Sequence, residues 1–355
     1  MMTVEQITEQ FRLEGDLVSF RPFGAGHINR TWRLKTSQGK RYVLQRINRT
    51  VFTDVPGLME NVTAVTRYLS ERTNDPRECL HLIETKDGRT WYQAPNREYY
   101  RIYDYIGDAI CLQHAEHPSD FYESAVAFGR FQKLLGDFPA ETLHETIPDF
   151  HHTPKRYLKF RQVVQDDPCG RVKEVGEEID FLLAREAEAG ILQSKRESGE
   201  LPLRVTHNDT KLNNVMLDQK TRKALCVIDL DTVMPGLAAY DFGDGIRFGA
   251  STAAEDEKDL SRVNLDLKLY ACFAEGFIKA CENLSKEEIE ALPFGAKLMT
   301  LENGLRFLTD YLEGDHYYHI EYADQNLDRC RTQLKLVRDT EEKWDEIRKL
   351  VAGFE

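Results

Sequence analysis

The stretch from Val205 to Thr232 reads V-T-H-N-D-T-K-L-N-N-V-M-L-D, then the polar residues 219–223, then A-L-C-V-I-D-L-D-T. Asp209 and the amides Asn213 and Asn214, and later Asp229 and Asp231, stand between short apolar runs. Short apolar runs bounded by polar residues predict strands. Carboxylate and amide oxygens are ligands that Mg²⁺ takes beside phosphates. The pattern therefore predicts a metal–phosphate site carried by a small hairpin.

Three residues of this stretch have the spacing of a kinase catalytic centre. Asn214 lies five residues after Asp209, and Asp229 follows the next predicted strand. In kinase catalytic loops an Asp accepts the proton of the substrate hydroxyl, and an Asn and a later Asp hold Mg²⁺. We therefore predict Asp209 as the catalytic base and Asn214 and Asp229 as metal ligands. The offset from Asp209 favours Asn214 over Asn213.

Other polar residues nearby have less specific roles. We expect His207 to be a packed histidine of the loop. Asp231 lies two residues after Asp229, on the same side of an extended chain, where it could hold a second Mg²⁺, contact a substrate hydroxyl or serve a structural purpose. The tripeptide 241–243, D-F-G, spells the metal motif of protein kinases but lies well beyond the strand that ends at Asp229. We expect Asp241 to be a buried structural acid or a cap.

A glycine-containing loop precedes this site in the chain. Residues 22–29 read P-F-G-A-G-H-I-N between two predicted strands. Glycines allow backbone N–H groups to approach phosphate oxygens closely, so Gly24, Gly26 and His27 are predicted ATP contacts. The alternative is a plain hairpin turn. Because no helix follows, the loop is neither a Walker A motif nor a dinucleotide fingerprint.

The third predicted strand supplies a candidate cation for the phosphates. It reads Y-V-L-Q-R-I over residues 42–47, so Arg46 stands where protein kinases use Lys. Arg can bind phosphate oxygens through two N–H groups and keeps its charge. The alternative is an exposed strand Arg. Glu60, on the predicted helix, is the candidate partner for Arg46.

The predicted elements divide the chain into an antiparallel sheet with one helix and a mainly helical part. The predicted strands are 17–23, 28–35, 41–47, 79–85, 89–93 and 98–106, and the first predicted helix is 56–71. The later predicted helices are 118–136, 174–194, 256–282, 296–314 and 325–352. This is an α+β, two-lobed, protein-kinase-like fold. We assign 1–107 to a nucleotide-binding lobe and 108–355 to a catalytic and substrate-binding lobe.

Charge and cysteine content exclude several classes of function. The net charge of −13 argues against nonspecific binding to nucleic acid or anionic membranes, which needs a basic surface. Seven cysteines without a C-x-x-C pair suit free thiols. The N-terminus has no apolar segment typical of a signal peptide and no run is long enough to span a membrane, so we expect a cytoplasmic protein. His151-His152 lacks ligand partners and is interpreted as a loop or surface feature.

Longer blocks resemble a known group of enzymes. They are F-G-A-G-H-I-N-R-T, Y-V-L-Q-R-I-N, V-T-H-N-D-T-K-L-N-N-V, V-I-D-L-D-T-V-M-P-G, D-F-G-D-G-I-R-F-G-A-S-T and L-R-F-L-T-D-Y-L-E-G-D. The Asp/Asn/Asp core resembles the aminoglycoside phosphotransferase and choline kinase superfamily. The blocks together resemble the N-acetylhexosamine 1-kinases over essentially the whole chain.

The resemblance implies ATP-dependent, Mg²⁺-assisted phosphorylation of the anomeric hydroxyl of N-acetylglucosamine or N-acetylgalactosamine. It implies that the strand 100–106, with Tyr103 and Ile106, contacts adenine. Arg306 and Tyr317, together with Asp209 and Asp231, are implied as substrate contacts, although Arg306 could also be a polar residue at the edge of the core.

Two alternatives remain open at this point. The first is a kinase for another small alcohol, such as a different sugar, an amino alcohol or homoserine. The second is a nucleotide-binding pseudokinase that acts as an interaction module, against which the intact Asp209, Asn214 and Asp229 argue. The absence of an A-P-E motif argues against a protein substrate. The expected partners are a sugar and ATP, and no obligate protein partner is evident.

Overall fold

The structure, a computed structural model, describes residues 2–24 and 28–354. Contacts between residues divide the chain into two compact units. The first unit comprises Met1–Cys111, Asp137–Pro148 and Val215–Pro235, and the second comprises Leu112–Gly136, Asp149–Asn214 and Gly236–Glu355. The predicted single boundary after residue 107 differs from this division. After residue 111 the chain returns to the first unit twice, in Asp137–Pro148 and in Val215–Pro235. The order of elements along the sequence does not show such returns, because they depend on packing between distant segments.

Ten strands and eleven α-helices occur in the described residues. The strands are β1 (Leu17–Pro22), β2 (Arg30–Thr36), β3 (Arg41–Ile47), β4 (Tyr92–Gln93), β5 (Tyr99–Asp104), β6 (Ala109–Cys111), β7 (Arg204–Thr206), β8 (Val215–Asp218), β9 (Ala224–Val227) and β10 (Met234–Gly236). The helices are α1 (Val4–Thr8), α2 (Val55–Ser70), α3 (Pro118–Leu134), α4 (Thr153–Asp166), α5 (Gly176–Leu183), α6 (Ile191–Glu197), α7 (Ala238–Gly249), α8 (Leu267–Ala280), α9 (Lys286–Glu313), α10 (Gln325–Glu342) and α11 (Trp344–Ala352). Sheet and helices segregate as the α+β prediction requires.

The first unit is built on a five-stranded antiparallel sheet with the strand order β1-β2-β3-β5-β4. Side chains alternate between the two faces of a strand. One face buries Leu34, Leu44 and Ile102 in a core that also contains Ile7 and Phe11 from the N-terminal segment. The other face presents Gln45 and the residues paired with it. The sheet therefore separates an apolar core from a face with polar side chains.

The predicted strands 79–85 and 89–93, which the turn-forming pair Asp87-Gly88 connects as in a hairpin, do not pair with each other as strands. Residues 79–85 form no strand and make only isolated bridges, Leu82 with Tyr103 and Phe11 with Thr85. The predicted turn at Gly88 does form, with a φ of 84°, and its N–H donates to Thr85 O. Asp87-Gly88 forms the turn locally, and Thr85 N donates to Arg89 O across it at 2.7 Å. Farther from the turn the chain bonds to other segments, as in Ile83 N to Ile102 O at 2.8 Å.

A second sheet of the first unit has the order β6-β8-β9. Val215 pairs with Val227, and Met216 pairs with both Cys226 and Cys111. β8 begins directly after Asn214 and β9 ends two residues before Asp229. The two strands predicted around the catalytic sequence are therefore confirmed. All seven cysteines of the chain are free thiols.

The second unit is helical, and α9 is its central helix. Most side chains of α9 are buried on all sides, as expected for a helix surrounded by others. Ser285 and Glu288 form a capping box at its start, and Gly314 ends it with a φ of 102°. The sequence S-K-E-E thus explains why α9 starts ten residues earlier than predicted.

Several other predicted helices differ from those observed. The predicted helix 174–194 is broken into α5 and α6, the segment 256–282 is helical only in α8, and 325–352 divides into α10 and α11. Three helices, α1, α4 and α7, were not predicted. α7 contains three glycines, which lower helix propensity in isolation but permit close packing. No helix in the described part of the chain has the length and apolarity to cross a lipid bilayer.

The helices α7 and α9 approach each other through small residues. A Cβ added at Gly243 would lie 2.4 Å from the backbone oxygen of Gly295, and one added at Gly295 would lie 2.3 Å from Ala239 O. Neither obstacle is a flexible side chain, so the backbones would have to separate. The close contact fixes the position of α7, whose acids support the loop described below.

We therefore predict that Gly243→Ala destabilises the protein by about 1–3 kcal/mol through overpacking. Urea unfolding followed by circular dichroism measures the effect. Gly176→Ala is the control, because a Cβ at Gly176, in the first turn of α5, meets nothing within 4 Å. Equal stability of the two variants would contradict the close α7–α9 contact.

Candidate active site

The predicted base, Asp209, lies in a loop of the second unit that follows β7. Lys211 Nζ lies 2.7 Å from one carboxylate oxygen of Asp209. The side-chain amide of Asn214 donates to the other carboxylate oxygen at 3.0 Å and to Asp209 O at 2.9 Å. Both oxygens of Asp209 are therefore held in place, while the side chain keeps part of its surface exposed.

These contacts distinguish the two asparagines. Asn214 uses its amide nitrogen toward Asp209, which leaves its oxygen Oδ1 as the atom for a cation. Asn213 donates instead to Gln113 at 3.4 Å. Amide and carboxylate oxygens match Mg²⁺, which prefers hard oxygen ligands. The donor chemistry of Asn214 suits a metal ligand, and this role of Asn214 stays a prediction.

The backbone before Asp209 is held by Asp241 of α7. The two carboxylate oxygens of Asp241 accept from the backbone N–H groups of His207 at 2.9 Å and Asn208 at 2.8 Å, and Gln132 Nε2 donates at 2.6 Å. Asn208 has a φ of 64°, a left-handed conformation that costs free energy for any residue with a side chain. The prediction that Asp241 is a buried structural acid is confirmed.

A second acid of α7, Asp244, supports the other side of the loop. It accepts from Thr210 N at 2.9 Å and pairs with Arg247 at 2.9 Å. Burial alone would raise the pKa of Asp244, but Arg247 and Lys211 lower it. Burial likewise would lower the pKa of Lys211, yet Asp209 and Asp244 raise it. The loop cation is therefore held protonated between two carboxylates.

His207 is fully buried and is not placed as an acid or base. Its ring lies edge-on to Phe128 at 5.4 Å and to Phe131 at 6.0 Å. Its Nδ1 accepts from Asp209 N at 3.3 Å. The expectation of a packed loop histidine is confirmed.

In the first unit, Asp229 starts a short turn after β9. It has a φ of 60°, so its carboxylate is carried by a backbone conformation that needs support. Two residues on, Asp231 is only 3% exposed. Its carboxylate lies 2.5 Å from the buried guanidinium of Arg101 and accepts from Asn29 Nδ2 at 2.6 Å. These contacts support the structural role considered for Asp231 rather than a contact with metal or substrate.

Arg101 is the buried cation of the sheet. It pairs opposite Gln45 in β3, and its Nε donates to Gln45 Oε1 at 3.0 Å. Burial alone would lower the pKa of Arg101, but Asp231 and Asp229 help to raise it. The polar face of the sheet thus carries a permanent positive charge beside the segment that contains Asp229.

The predicted pair of Arg46 and Glu60 is not formed. Arg46 is one residue after Gln45 and points to the other face of the sheet, where its guanidinium lies 3.7 Å from Glu98. Glu60 instead contacts His144 at 2.6 Å. Strand alternation explains the difference, since a helix carboxylate can meet only the face that it covers. A role of Arg46 in ATP binding stays a prediction.

The remaining predicted ATP contacts lie in the first unit. Gly24 has a φ of 81°, whereas Gly26 and His27 lie outside the described residues. Tyr103 and Ile106 are both buried at the end of β5. The Tyr103 hydroxyl has no hydrogen-bond partner in the described residues, and burial raises its pKa. Contact of these residues with adenine stays a prediction.

Arg306 and Tyr317 come together in the second unit. The Arg306 guanidinium lies 5.3 Å from the ring of Phe150, 5.8 Å from that of Tyr317 and 5.6 Å from that of Tyr318. Asp310 holds the loop, because its carboxylate accepts from the backbone N–H groups of Tyr317 at 2.8 Å and Tyr318 at 3.0 Å. Tyr317 is 62% exposed. An aromatic surface with a cation at its centre results.

One buried carboxylate, Glu302, lies one helical turn before Arg306. It accepts from Thr153 Oγ1 at 2.6 Å and lies 2.9 Å from His151 Nδ1. Burial alone would raise the pKa of Glu302, but His151, Arg156 and Arg306 lower it to about 2. His151 is therefore a buried partner of an ionised acid: it lies in the turn before α4, so the loop interpretation is confirmed and the surface alternative is wrong.

Several residues of these networks were missed in the sequence. Lys211 and Asp244 had usable signals: a cation two residues after the base, and a D-x-x-D spacing that puts two acids on one face of a helix. A lone Arg101 in an otherwise apolar strand also indicates a buried partner. His151 had no such signal, because Glu302 is 151 positions away in the chain.

Solved structures share the fold of this chain. An aminoglycoside phosphotransferase from Alicyclobacillus acidocaldarius matches with a TM-score of 0.68 and 14% identity, covering 99% of this chain and 97% of that one. A Plasmodium vivax ethanolamine kinase matches with a TM-score of 0.56 and 14% identity, covering 89% and 82%. An amicoumacin kinase in complex with AMP-PNP and Ca²⁺ matches with a TM-score of 0.58 and 13% identity, covering 95% and 91%.

At these identities the structural similarity establishes the fold alone, and it agrees with the predicted kinase-like architecture. The sequence gives the more specific assignment. The model of the phosphotransferase enzyme family (APH) matches residues 19–275, which is well over half of the chain and includes the Asp209 loop and both acids after β9. This chain therefore belongs to the phosphotransferase enzyme family.

Proposed function

We propose that this protein transfers the γ-phosphoryl group of ATP to the C1 hydroxyl of N-acetylglucosamine or N-acetylgalactosamine. The observation that carries the reaction class is the Asp209–Asn214 contact, a carboxylate oriented by the amide of the residue five positions later. The choice of sugar depends on the sequence blocks that resemble N-acetylhexosamine 1-kinases and on the charge of the Arg306 surface.

The reaction is a direct in-line transfer. The Asp209 carboxylate accepts the proton of the C1 hydroxyl as that oxygen forms its bond to the γ-phosphorus. The bond from the γ-phosphorus to the β–γ bridging oxygen breaks, and ADP leaves. A carboxylate has about four lone-pair sites, so Asp209 can keep its contacts with Lys211 and Asn214 and still accept the substrate proton.

Asn214 and Asp229 are the proposed ligands of a divalent metal, for which Mg²⁺ is the expected ion. Bound metal neutralises phosphate charge and orients the γ-phosphoryl group. The Asp209 loop supplies the positive charge of Lys211 close to the base. Positioning and charge stabilisation account for most of the acceleration in phosphoryl transfer, and both are properties of these residues.

The charges around Arg306 favour a neutral, acceptor-rich alcohol. The two guanidinium groups of Arg156 and Arg306 lie near Glu302, whose carboxylate already contacts His151 and Thr153. Amino alcohols carry an ammonium group, which such a positive surface repels. The aromatic faces that could bind an ammonium are already occupied by Arg306. Sugar hydroxyl and amide oxygens can instead accept from these donors.

Two buried acids are proposed to position the chemistry without taking part in it. Asp241 holds the loop before Asp209. Asp231, paired with Arg101 and Asn29, holds the segment that carries Asp229. Because Asn29 lies just after the glycine-containing loop, this network joins the predicted phosphate loop to the predicted metal acid.

A panel of acceptors tests the function. ADP release is measured with ATP, Mg²⁺ and N-acetylglucosamine, N-acetylgalactosamine, ethanolamine, choline or homoserine, and ³¹P NMR identifies the product. We expect turnover with the two sugars and an anomeric phosphate. A 6-phosphate, or turnover only with an amino alcohol, would overturn the proposal. Nucleotide binding without turnover on any acceptor would favour the pseudokinase alternative.

We predict that Asp209→Asn lowers kcat by about 10²- to 10⁴-fold, the usual contribution of a general base. ATP binding measured by calorimetry should persist, because the amide keeps the shape of the side chain. Asp180→Asn, on the exposed face of α5, is the matched control and should leave kcat unchanged. Turnover of Asp209→Asn near that of the wild type would rule out Asp209 as the base.

We further predict that Asp231→Asn destabilises the protein by about 3–5 kcal/mol, because Arg101 would be left buried without a counterion. The Mg²⁺ concentration for half-maximal activity should also rise, since Asp229 loses its support. Glu84→Gln, which breaks the exposed Arg12–Glu84 pair, is the control and should cost less than about 1 kcal/mol. An unchanged Mg²⁺ dependence would restrict Asp231 to a role in stability.

A further inference from the structure

His151 has one ring nitrogen whose role the contacts above do not explain. Its Nδ1 lies 2.9 Å from Glu302 Oε1. The carboxylate of Glu302 also accepts from Thr153 Oγ1 at 2.6 Å and lies 3.5 Å from Arg156 Nε, so it is the acceptor in this contact. Nδ1 therefore carries the proton of that hydrogen bond. In the neutral ring, Nε2 then presents a lone pair.

The Nε2 atom is buried and has no hydrogen-bond partner in the described residues. The whole His151 residue is 9% exposed. The ring lies between Phe150, with centroids 4.6 Å apart, and Tyr240, with centroids 5.3 Å apart. A buried polar atom without a partner costs free energy, and its presence in a native protein calls for a ligand or another explanation.

The surroundings of His151 belong to the proposed acceptor site. Glu302 lies four residues before Arg306 on α9, so both side chains project from the same face. Phe150 contacts both the His151 ring and the Arg306 guanidinium. The segments Asp149–Asn214 and Gly236–Glu355, which carry His151, the Asp209 loop and Arg306, all belong to the second unit. His151 thus lies in one unit with the base loop and the cationic surface.

We propose that His151 Nε2 accepts a hydrogen bond from a hydroxyl of the acceptor alcohol other than the one that is phosphorylated. The inference depends on the proposed function and adds a specificity-determining residue to it. Glu302 is a positioning residue that fixes which nitrogen of His151 carries the proton. The ligand must be an alcohol with a second hydroxyl group, which donates to His151 Nε2. It must also carry oxygen atoms that accept from the N–H groups of Arg306.

Monodeoxy sugars test this contact. The 3-, 4- and 6-deoxy forms of N-acetylglucosamine keep the C1 hydroxyl but each lacks one other donor. We expect the wild type to lose about 10- to 100-fold in kcat/KM with one of them, because removal of a substrate hydroxyl leaves a buried group of the site unpaired. His151→Phe keeps a planar ring without the acceptor, so it should use that analogue and the parent sugar equally.

Two variants separate the contact from a structural effect. His151→Gln retains an acceptor oxygen and should keep part of the discrimination, even if His151→Phe fails to fold. Glu302→Gln can donate to Nδ1 and move the ring proton to Nε2, so it should abolish the discrimination while ¹⁵N NMR shows the changed tautomer. His152→Asn is the matched control, because Asn preserves the helix cap that His152 provides for α4.

The outcomes distinguish the two proposals. If no sugar is phosphorylated, the proposed function fails and the role of His151 fails with it. If sugars are phosphorylated but every deoxy analogue is used within about twofold of the parent, or if His151→Phe discriminates like the wild type, the His151 contact alone is overturned. Discrimination present in the wild type and His152→Asn but absent in His151→Phe supports it.

Discussion

The carboxylate of Asp241 is the constraint on which the Asp209 loop depends. It accepts hydrogen bonds from two successive backbone N–H groups, those of His207 and Asn208, and from Gln132. Hydrogen bonds to a charged group contribute about 1.5–3 kcal/mol each. The left-handed conformation of Asn208 costs about 1–2 kcal/mol. Burial raises the pKa of Asp241 and these hydrogen bonds oppose that effect. The same bonds hold the backbone before Asp209 in the observed conformation.

The same constraint explains why α7 packs as it does. α7 must approach the loop closely enough for Asp241 and Asp244 to reach four backbone or side-chain groups of residues 207–210. Its glycines, which disfavour an isolated helix, allow contact with the α9 backbone at Gly295. The close packing of α7 on α9 therefore fixes the position of Asp241 and Asp244, and these two acids fix the loop that carries the Asp209 carboxylate.

In the first unit an ion pair, rather than a carboxylate bonded to backbone N–H groups, holds a left-handed residue in place. Asp229 has a left-handed conformation, and the neighbouring Asp231 is fixed by Arg101 and Asn29. A buried pair of this kind adds little net stability compared with apolar residues, but loss of one partner is costly. Its value is therefore in fixing geometry. Arg101 lies on the same face of the sheet as Gln45. The residue pattern of β3 alone did not predict a cation on that face.

Local sequence pattern was sufficient to predict phosphoryl transfer to a small molecule, in agreement with the family match, and to propose the residues nearest the chemistry. The predictions for Asp209, Asn214 and Asp229 follow from local order and spacing. The strands β8 and β9, and β1, β2, β3 and β5 of the main sheet, follow from short-range polarity. Asp241 was also recognised as structural, because it stands outside the strand context of a metal acid.

The packing of the elements, rather than the sequence pattern, fixes which side chains share a face or a buried partner. Arg46 and Gln45 are adjacent in sequence but point in opposite directions, so the predicted partner of Arg46 was wrong and Arg101 was missed. His151 and Glu302 meet across 151 positions. Short-range pattern encodes backbone conformation and local order, whereas long-range contacts depend on how the elements pack, and that information is not present in any single stretch of the chain.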